Sequence, residues 1–349
     1  MNTYLDRLDP NATRRVKGLR LVAAYGIAVL IGTSRGFTHG LSSGASLGAL
    51  AGGFALWACV SEGRAQRTAS IRDLVILTMA AALGATMMIT IAPVITGPHH
   101  PGPELILVTG SFLVGYLRRF GPLGTGIGSQ IYIGQLLAYT GNLTHVDLRM
   151  VAEAALVAAA AAIIPRLICH PFEHPKSAPA ATEPAALIAH TKALELRMGL
   201  QSAIAALVIV ALNDAIGLEE SAWAITACTY VITNSTSGTV DRVRRRILGT
   251  MVGVPLGLLF LPIARHLPLL GWIAAALAMI IYSMALPERY DIACGAFAFT
   301  LIVTLVIGGE TSITELTARA WETLLGGVLG LATAIFIVPL RPQSPQPSR

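Results

Sequence analysis

Twelve apolar stretches, separated by charges, glycines and prolines, decide what this chain can become. In the first half they run over Leu19–Gly36, Leu41–Val60, Leu74–Ile95, Leu105–Arg118, Leu123–Tyr139 and Val151–Ile168. In the second they run over Met198–Ile216, Ala222–Thr233, Ile247–Ala264, Leu267–Leu286, Ile292–Ile307 and Ala320–Val338. A bilayer is crossed by about 20 mostly apolar residues, so twelve spans use roughly 240 residues of the 349 available. Only 13% of the residues are charged and the mean hydropathy is +0.66, values of a chain dissolved in lipid. The expected fold is all-α and integral to the membrane, with about 12 transmembrane helices and no large soluble domain. Runs of this length exclude a β-barrel.

The spans also sort the basic residues. Short cytoplasmic loops hold the excess of Lys and Arg. Here one side of a twelve-span chain receives 21 of the 25, and only Arg35, Arg149, Arg265 and Arg319 fall opposite. A mistaken span would reverse every later loop and erase the asymmetry, so both termini are expected in the cytoplasm. This sorting accounts for the net charge of +6, and nucleic acid is not an expected partner. The first span reads as an anchor, since no small-residue cleavage site follows it early. Cys59, Cys169, Cys228 and Cys294 show no paired spacing and do not mark a redox compartment.

The two halves resemble each other. LRL at Leu19–Leu21 matches LRM at Leu196–Met198, and basic residues recur at the start of the third spans, at Arg72 and Arg246. Arg149 with Glu153 precedes a run ending IIPRL, as Arg319 with Glu322 precedes one ending IVPL. An even number of spans per half predicts two parallel six-helix repeats, a pseudo-dimer about an axis along the membrane normal. Residues 1–171 form the first repeat, 172–192 a Pro/Ala-rich cytoplasmic linker, 193–340 the second repeat and 341–349 a disordered tail.

Little in the sequence suits an enzyme. HExxH and a well-placed Ser-x-x-Lys are absent, the Gly-x-Ser-x-Gly spacings at Gly32–Gly36, Gly40–Gly44 and Gly44–Gly48 form no strand-to-helix nucleophile elbow, and GPLGTGIG at Gly121–Gly128 lacks the Lys-Ser/Thr ending and preceding strand of a phosphate loop. CHPFEH at Cys169–His174 offers metal-ligand types, but Pro171 interrupts the helical turn between its histidines and no second cluster completes a site. It reads as linker, and His99 with His100 as an external turn. No metal and no cofactor is expected. Glycines at every fourth residue, at Gly36–Gly52, Gly249–Gly257 and Gly326–Gly330, read as close helix packing.

The most informative stretch is WAITACTYVITNSTSGTVDRVRRRILGT, from Trp223 to Thr250. An apolar helix turns polar at Thr233, Asn234 and Ser235, then leads into four arginines. Hydroxyl and amide donors followed by guanidinium groups can hold a carboxylate by charge-assisted bonds. Taken from the residues alone, the same arginines are first of all positive-inside anchors. The pairs Arg149 with Glu153 and Arg319 with Glu322 are a second constellation, on one helix face each. They are either a coupling site for anion and proton or self-neutralising interfacial pairs.

The stretch resembles the signature of the fusaric acid resistance and aromatic acid exporter superfamily, which includes aluminium-activated malate transporters. The matching positions are Trp223, Ala224, Thr226, Gly238, Thr239, Arg245, Arg246, Gly249 and Thr250, with Arg319 and Glu322–Gly326 similar to the family's last-span motif. The first half lacks the Trp-Ala-x-Thr opening. The resemblance implies efflux or conduction of organic anions, aromatic carboxylates above all, and the expected protein is a multi-pass exporter of the bacterial inner membrane with protons as the candidate coupling ion. Candidate substrate-binding residues are Arg246, Arg72, Arg245, Trp223, Thr226, Asn234 and Thr239; Arg149, Glu153, Arg319 and Glu322 are candidates for the pathway. The lipid bilayer and an organic anion are the expected partners, and protons, a second copy or an accessory efflux subunit are further candidates. A passive anion channel and a non-transporting assembly partner stay open as alternatives.

Overall fold

The computed structural model describes residues 13–34, 47–64, 66–95, 102–169, 185–219, 221–286, 288–308 and 313–337. Among these, helices are joined by turns and no strand occurs. The first half supplies α1 (Thr13–Gly32), α2 (Leu47–Ser61), α3 (Arg67–Ile95), α4 (Leu105–Tyr116), α5 (Gly121–Thr140) and α6 (Leu148–Cys169). The second supplies α7 (Ala185–Ile216), α8 (Ser221–Val231), α9 (Thr236–His266), α10 (Pro268–Ala285), α11 (Tyr290–Ile307) and α12 (Ile313–Ala332). A tight 3-10 turn, Leu117–Phe120, follows α4.

The protein is an all-α membrane protein, with 7 helices among the described residues long and apolar enough to cross a bilayer. Helix length alone does not yield the twelve spans expected from the apolar runs. The 12 residues of α4 and 11 of α8 rise about 18 and 17 Å, short of a bilayer core. The long helices, in contrast, overrun their apolar stretches. α3 begins at Arg67 rather than near Leu74, and α9 at Thr236 rather than near Ile247. Apolar content marks what meets lipid, whereas a helix continues through charged residues that favour it. The arginines Arg242 to Arg246 therefore lie on a helix and not in a loop. Likewise α7 starts at Ala185, inside the expected linker, because Pro184 is followed by a run of helix formers, AALIAHTKALELR.

Small residues set the packing. Ala24, Ala28, Ala51, Ala55, Ala81, Ala85, Ala154 and Ala158 are fully buried, and glycines bring backbones into contact. Gly84 and Gly134 seal α3 against α5, where an added Cβ would strike the carbonyls of Ile131 and Ala81. Gly249 and Gly253 do the same between α9 and α11, against Asp291 and Gly295. Between the halves, α4 packs along α7 and α10 along α1. Large apolar side chains such as Leu30, Leu83, Val94, Leu156, Leu259 and Phe336 are exposed, as befits a lipid-facing surface.

One end of the bundle is laced with ion pairs. Lys17 Nζ donates to the carbonyls of Val60 (2.9 Å) and Glu62 (2.7 Å), satisfying the end of α2. Arg20 Nη2 lies 3.0 Å from Glu62 Oε2, both side chains being buried. Arg166 Nη2 donates to the carbonyl of Arg64 (3.0 Å), and Arg64 and Arg72 both pair with Asp73. On the exposed rim Arg14 meets Glu288 at 2.6 Å and holds its carboxyl below the usual range. That contribution is present above the ordinary carboxylate pKa and lost as acid protonates Glu288. The buried pair matters more. Glu62→Leu removes the carboxylate facing the buried Arg20 and should destabilise the protein by about 3–5 kcal/mol, read as a lowered unfolding midpoint of the detergent-purified protein.

Candidate anion site at the basic end

The polar turn after α8 ends one helix and starts the next. Ser235 is extended and caps α9, its Oγ accepting from the Gly238 amide at 3.1 Å. The Thr239 hydroxyl donates to the Ser235 carbonyl (3.0 Å) and accepts from the Thr233 amide (3.2 Å). Thr239 is thus consumed in holding the turn, and Asn234 is exposed beside it. Of the expected donors at this turn, neither is aimed at an interior site.

The arginines are sorted by helical periodicity. Arg242 and Arg246, four apart, share a face of α9. Arg246 Nη1 donates to the Tyr290 hydroxyl at 3.3 Å, and the Arg242 guanidinium lies over the Tyr290 ring at 5.1 Å. Arg246 Nε is buried without a hydrogen-bond partner. Arg244 is exposed, and Arg245 pairs with Asp241 at 2.8 Å and donates to the Glu288 carbonyl at 2.9 Å. Asp241, Arg244, Arg245, Glu288, Arg289 and Asp291 line an open cleft on this outer side. Acidic and basic groups pair along it, so it offers an anion little net charge.

A third arginine reaches the inner face from the other half. Arg118 sits in the 3-10 turn after α4, which Gly121 terminates at φ +75°, a conformation that favours glycine. Its Nε is also buried without a partner, and Arg242, Glu195 and the neutral phenol of Tyr230 are within its electrostatic reach. Arg119, next to it, is drawn aside by Tyr116, donating to its hydroxyl at 2.5 Å and stacking 4.8 Å over its ring. Tyr230 of α8 is within electrostatic reach of both Arg118 and Arg246. Tyr132, Tyr282 and Cys294 are within reach of Arg246. Like charges at i and i+4 destabilise a helix. Guanidinium groups beside aromatic rings are chemistry that can hold an anion with a flat apolar body.

The other expected residues are dispersed. Thr226 donates to the Ala222 carbonyl at 2.8 Å, so Tyr132, 2.7 Å away, is the donor in the bond they share. Trp223 is half-buried on α8. Arg72 is largely exposed and pairs with Asp73 at 3.1 Å, and α3 has no packed interface with α9. The structure does not set Arg72 opposite Arg246. Arg149 and Glu153 form a 2.7 Å pair in which the arginine side chain is 81% exposed. Arg149→Ala should shift stability by less than about 1 kcal/mol and leave anion transport unchanged, checked by unfolding and by vesicle uptake. Glu322 is buried, and the Arg319 side chain lies outside the described residues, as do His99, His100 and the segment after Cys169. Among the described residues no cluster of metal ligands occurs. Arg118, Arg242, Tyr230 and Tyr290 were not expected from the sequence. The i, i+4 spacing of Arg242 and Arg246 was the available signal; Arg118 had none.

No curated protein and no solved structure matches the chain. Residues 204–333 match the family described as fusaric acid resistance protein-like. The resemblance to that family is thereby borne out over the segment running from α7 into α12, which carries Arg242 and Arg246.

Proposed function

We propose that the protein is a multi-pass transporter of the bacterial inner membrane, exporting small organic anions, chiefly aromatic carboxylates, with protons as the coupling ion. The anion is held between the two halves by Arg118, Arg242 and Arg246. The observation that carries this is the half-buried Arg246, its Nε enclosed without a partner and its Nη1 on a tyrosine rather than a carboxylate. A guanidinium that only anchored the chain would lie exposed or paired with an acid, as Arg245 does. The basic end is the cytoplasmic face in this reading, with both termini on that side.

The two halves are proposed to be parallel repeats. Reciprocal packing supports this: α4 lies on α7 as α10 lies on α1, and α3 closes on α5 as α9 closes on α11. A common register also supports it. The numbering shift that carries Gly84 onto Gly253 carries Leu77 onto Arg246, and the shift that carries Ile131 onto Gly295 carries Gly126 onto Tyr290. The contact between Leu77 and Gly126 then matches the bond between Arg246 and Tyr290. In this register Arg72 falls on Asp241, so the Arg72 and Arg246 match drawn from sequence is replaced. The site is single, because its first-half counterpart is apolar.

Everted membrane vesicles with and without the protein provide the test. Uptake of labelled 4-hydroxybenzoate in the protein-containing vesicles, competed by other aromatic carboxylates and not by neutral amides, is expected. Uptake equal in both vesicle types across a panel of organic acids would remove the proposal.

A further inference from the structure

At the end of α4 opposite Arg118 lies a buried carboxylate with a different kind of surroundings. Glu104 is 7% exposed. Its Oε1 accepts from Tyr139 Oη at 2.6 Å, Asn213 Nδ2 at 3.2 Å and Ser221 Oγ at 3.5 Å, so donors from α5, α7 and the start of α8 converge on one oxygen. Among the described residues no Lys, Arg or His pairs with it. Of the elements packed on α4, α5 contributes Tyr139 as its titratable group there. α7 and the turn after it contribute Asp214 and Glu219, both exposed, and Glu220 lies outside the described residues. α8 contributes no charged group, and the charged residues of α3 sit at its other end. An ionisable side chain inside a membrane protein marks a functional group.

From Glu104 a line of polar pairs follows the seam between α4, α5 and α8 toward the arginines. Tyr139, Gln135 and Tyr132 fall on one face of α5. Gln135 Nε2 donates to Thr109 Oγ1 of α4 at 3.1 Å, while its Oε1, fully buried against the bare backbone of Gly110, has no partner. Tyr132 bonds Thr226, and Ser111 bonds Thr229, across the boundary between the halves. Tyr132 and Tyr230 meet edge to face at 5.9 Å, and Tyr230 is within electrostatic reach of Arg118 and Arg246. The seam spans about 20 Å from Glu104 to Arg118 at 1.5 Å per residue. Its counterpart in the repeat register is aromatic. The register that puts Leu77 on Arg246 puts Trp57 on Thr226, and Trp57 packs against Phe297 (5.5 Å) and Tyr282 (6.3 Å).

We infer that Glu104 is the proton-carrying residue of the transport cycle and that the polar seam of α4, α5 and α8 joins it to the arginine site. This rests on the transporter reading above. A proton taken up on the Glu104 carboxylate removes its charge and frees Tyr139 Oη to turn to another acceptor. When the proton leaves, the three donors return to Oε1. Only one seam conducts, since Trp57, Tyr282 and Phe297 close the other.

The test uses the purified full chain with two independent readouts. Infrared difference spectra over a pH titration should show a carboxylic acid carbonyl band that titrates, is lost in Glu104→Gln and shifts in Tyr139→Phe. In proteoliposomes, corrected for protein-free liposomes, a pH gradient should drive accumulation of labelled 4-hydroxybenzoate by the wild type. Glu104→Gln, which keeps an acceptor at Oε1, should lose that accumulation by at least tenfold while retaining counterflow exchange at zero gradient, a sign of intact folding and binding. Accumulation by Glu104→Gln at the wild-type level, accumulation driven by a sodium gradient alone, or identical infrared titrations of both proteins would overturn the inference. A wild type that neither binds nor exchanges the acid overturns instead the transporter reading, and the infrared band still decides whether Glu104 carries the proton.

Discussion

Arg246→Gln is expected to weaken binding of an aromatic carboxylate by about tenfold to a hundredfold, since a hydrogen bond to a charged group contributes about 1.5–3 kcal/mol and each 1.4 kcal/mol is tenfold. The side chain is half-buried against Tyr290 with its Nε enclosed and unpartnered, so glutamine removes a charge that has no acid beside it. Arg246→Lys separates charge from shape. A lysine retains the positive charge but presents no planar fork, so an intermediate loss is expected if two oxygens are gripped together. Arg245→Gln is the internal comparison: it lies one residue away, exposed and paired with Asp241, and should leave uptake unchanged. Uptake into everted vesicles, normalised to inserted protein, reads all three, and equal loss at Arg245 and Arg246 would mean that charge at this end matters without a site.

A large effect on stability is also expected at Gly134. A Cβ there would enter the space of the Ala81 carbonyl and the Ala85 amide, backbone atoms that cannot swing aside. Gly134→Ala must push α3 and α5 apart along the most tightly closed helix pair of the first half, and overpacking costs about 1–3 kcal/mol, with the upper end expected against backbone. Gly253→Ala should do the same between α9 and α11, where the carbonyl of Gly295 stands in the way. Gly26→Ala meets nothing within 4 Å and should be neutral or slightly stabilising, since alanine favours the helix. The unfolding midpoints of the three purified variants provide the comparison.

How far the sequence carried depends on which physical signal each feature left. Apolar runs mark what touches lipid, so the membrane class was plain while helix ends were not: α9 runs through charged residues to Thr236, and α8 stops short at Val231. Glycine spacing was a sound guide, because a residue without a side chain every fourth position has a packing consequence that Gly249 and Gly253 display. The site was half legible. Arg246 was found through its position in a family signature, and Asn234 and Thr239 were expected beside it for their chemistry. Whether a donor is free, however, depends on local bonds such as that from Thr239 to Ser235, which residue type does not reveal. Arg118 was missed because it reaches the site from the other half of the chain, and only tertiary packing of α4 against α7 and α8 brings it there. Glu104 was missed for the same reason, its three donors coming from three other elements.

The central claim is that one anion is gripped from both halves at once. Equilibrium binding of labelled 4-hydroxybenzoate to the detergent-purified protein tests it, with Arg118→Gln, Arg246→Gln and the double variant measured beside the wild type. Saturable wild-type binding is predicted, weakened at least tenfold by either single change, with the double variant showing less than the product of the two losses because both arginines serve one ligand. Binding that is unaffected by Arg118→Gln, or single losses that multiply as at independent sites, would contradict a shared site between the halves.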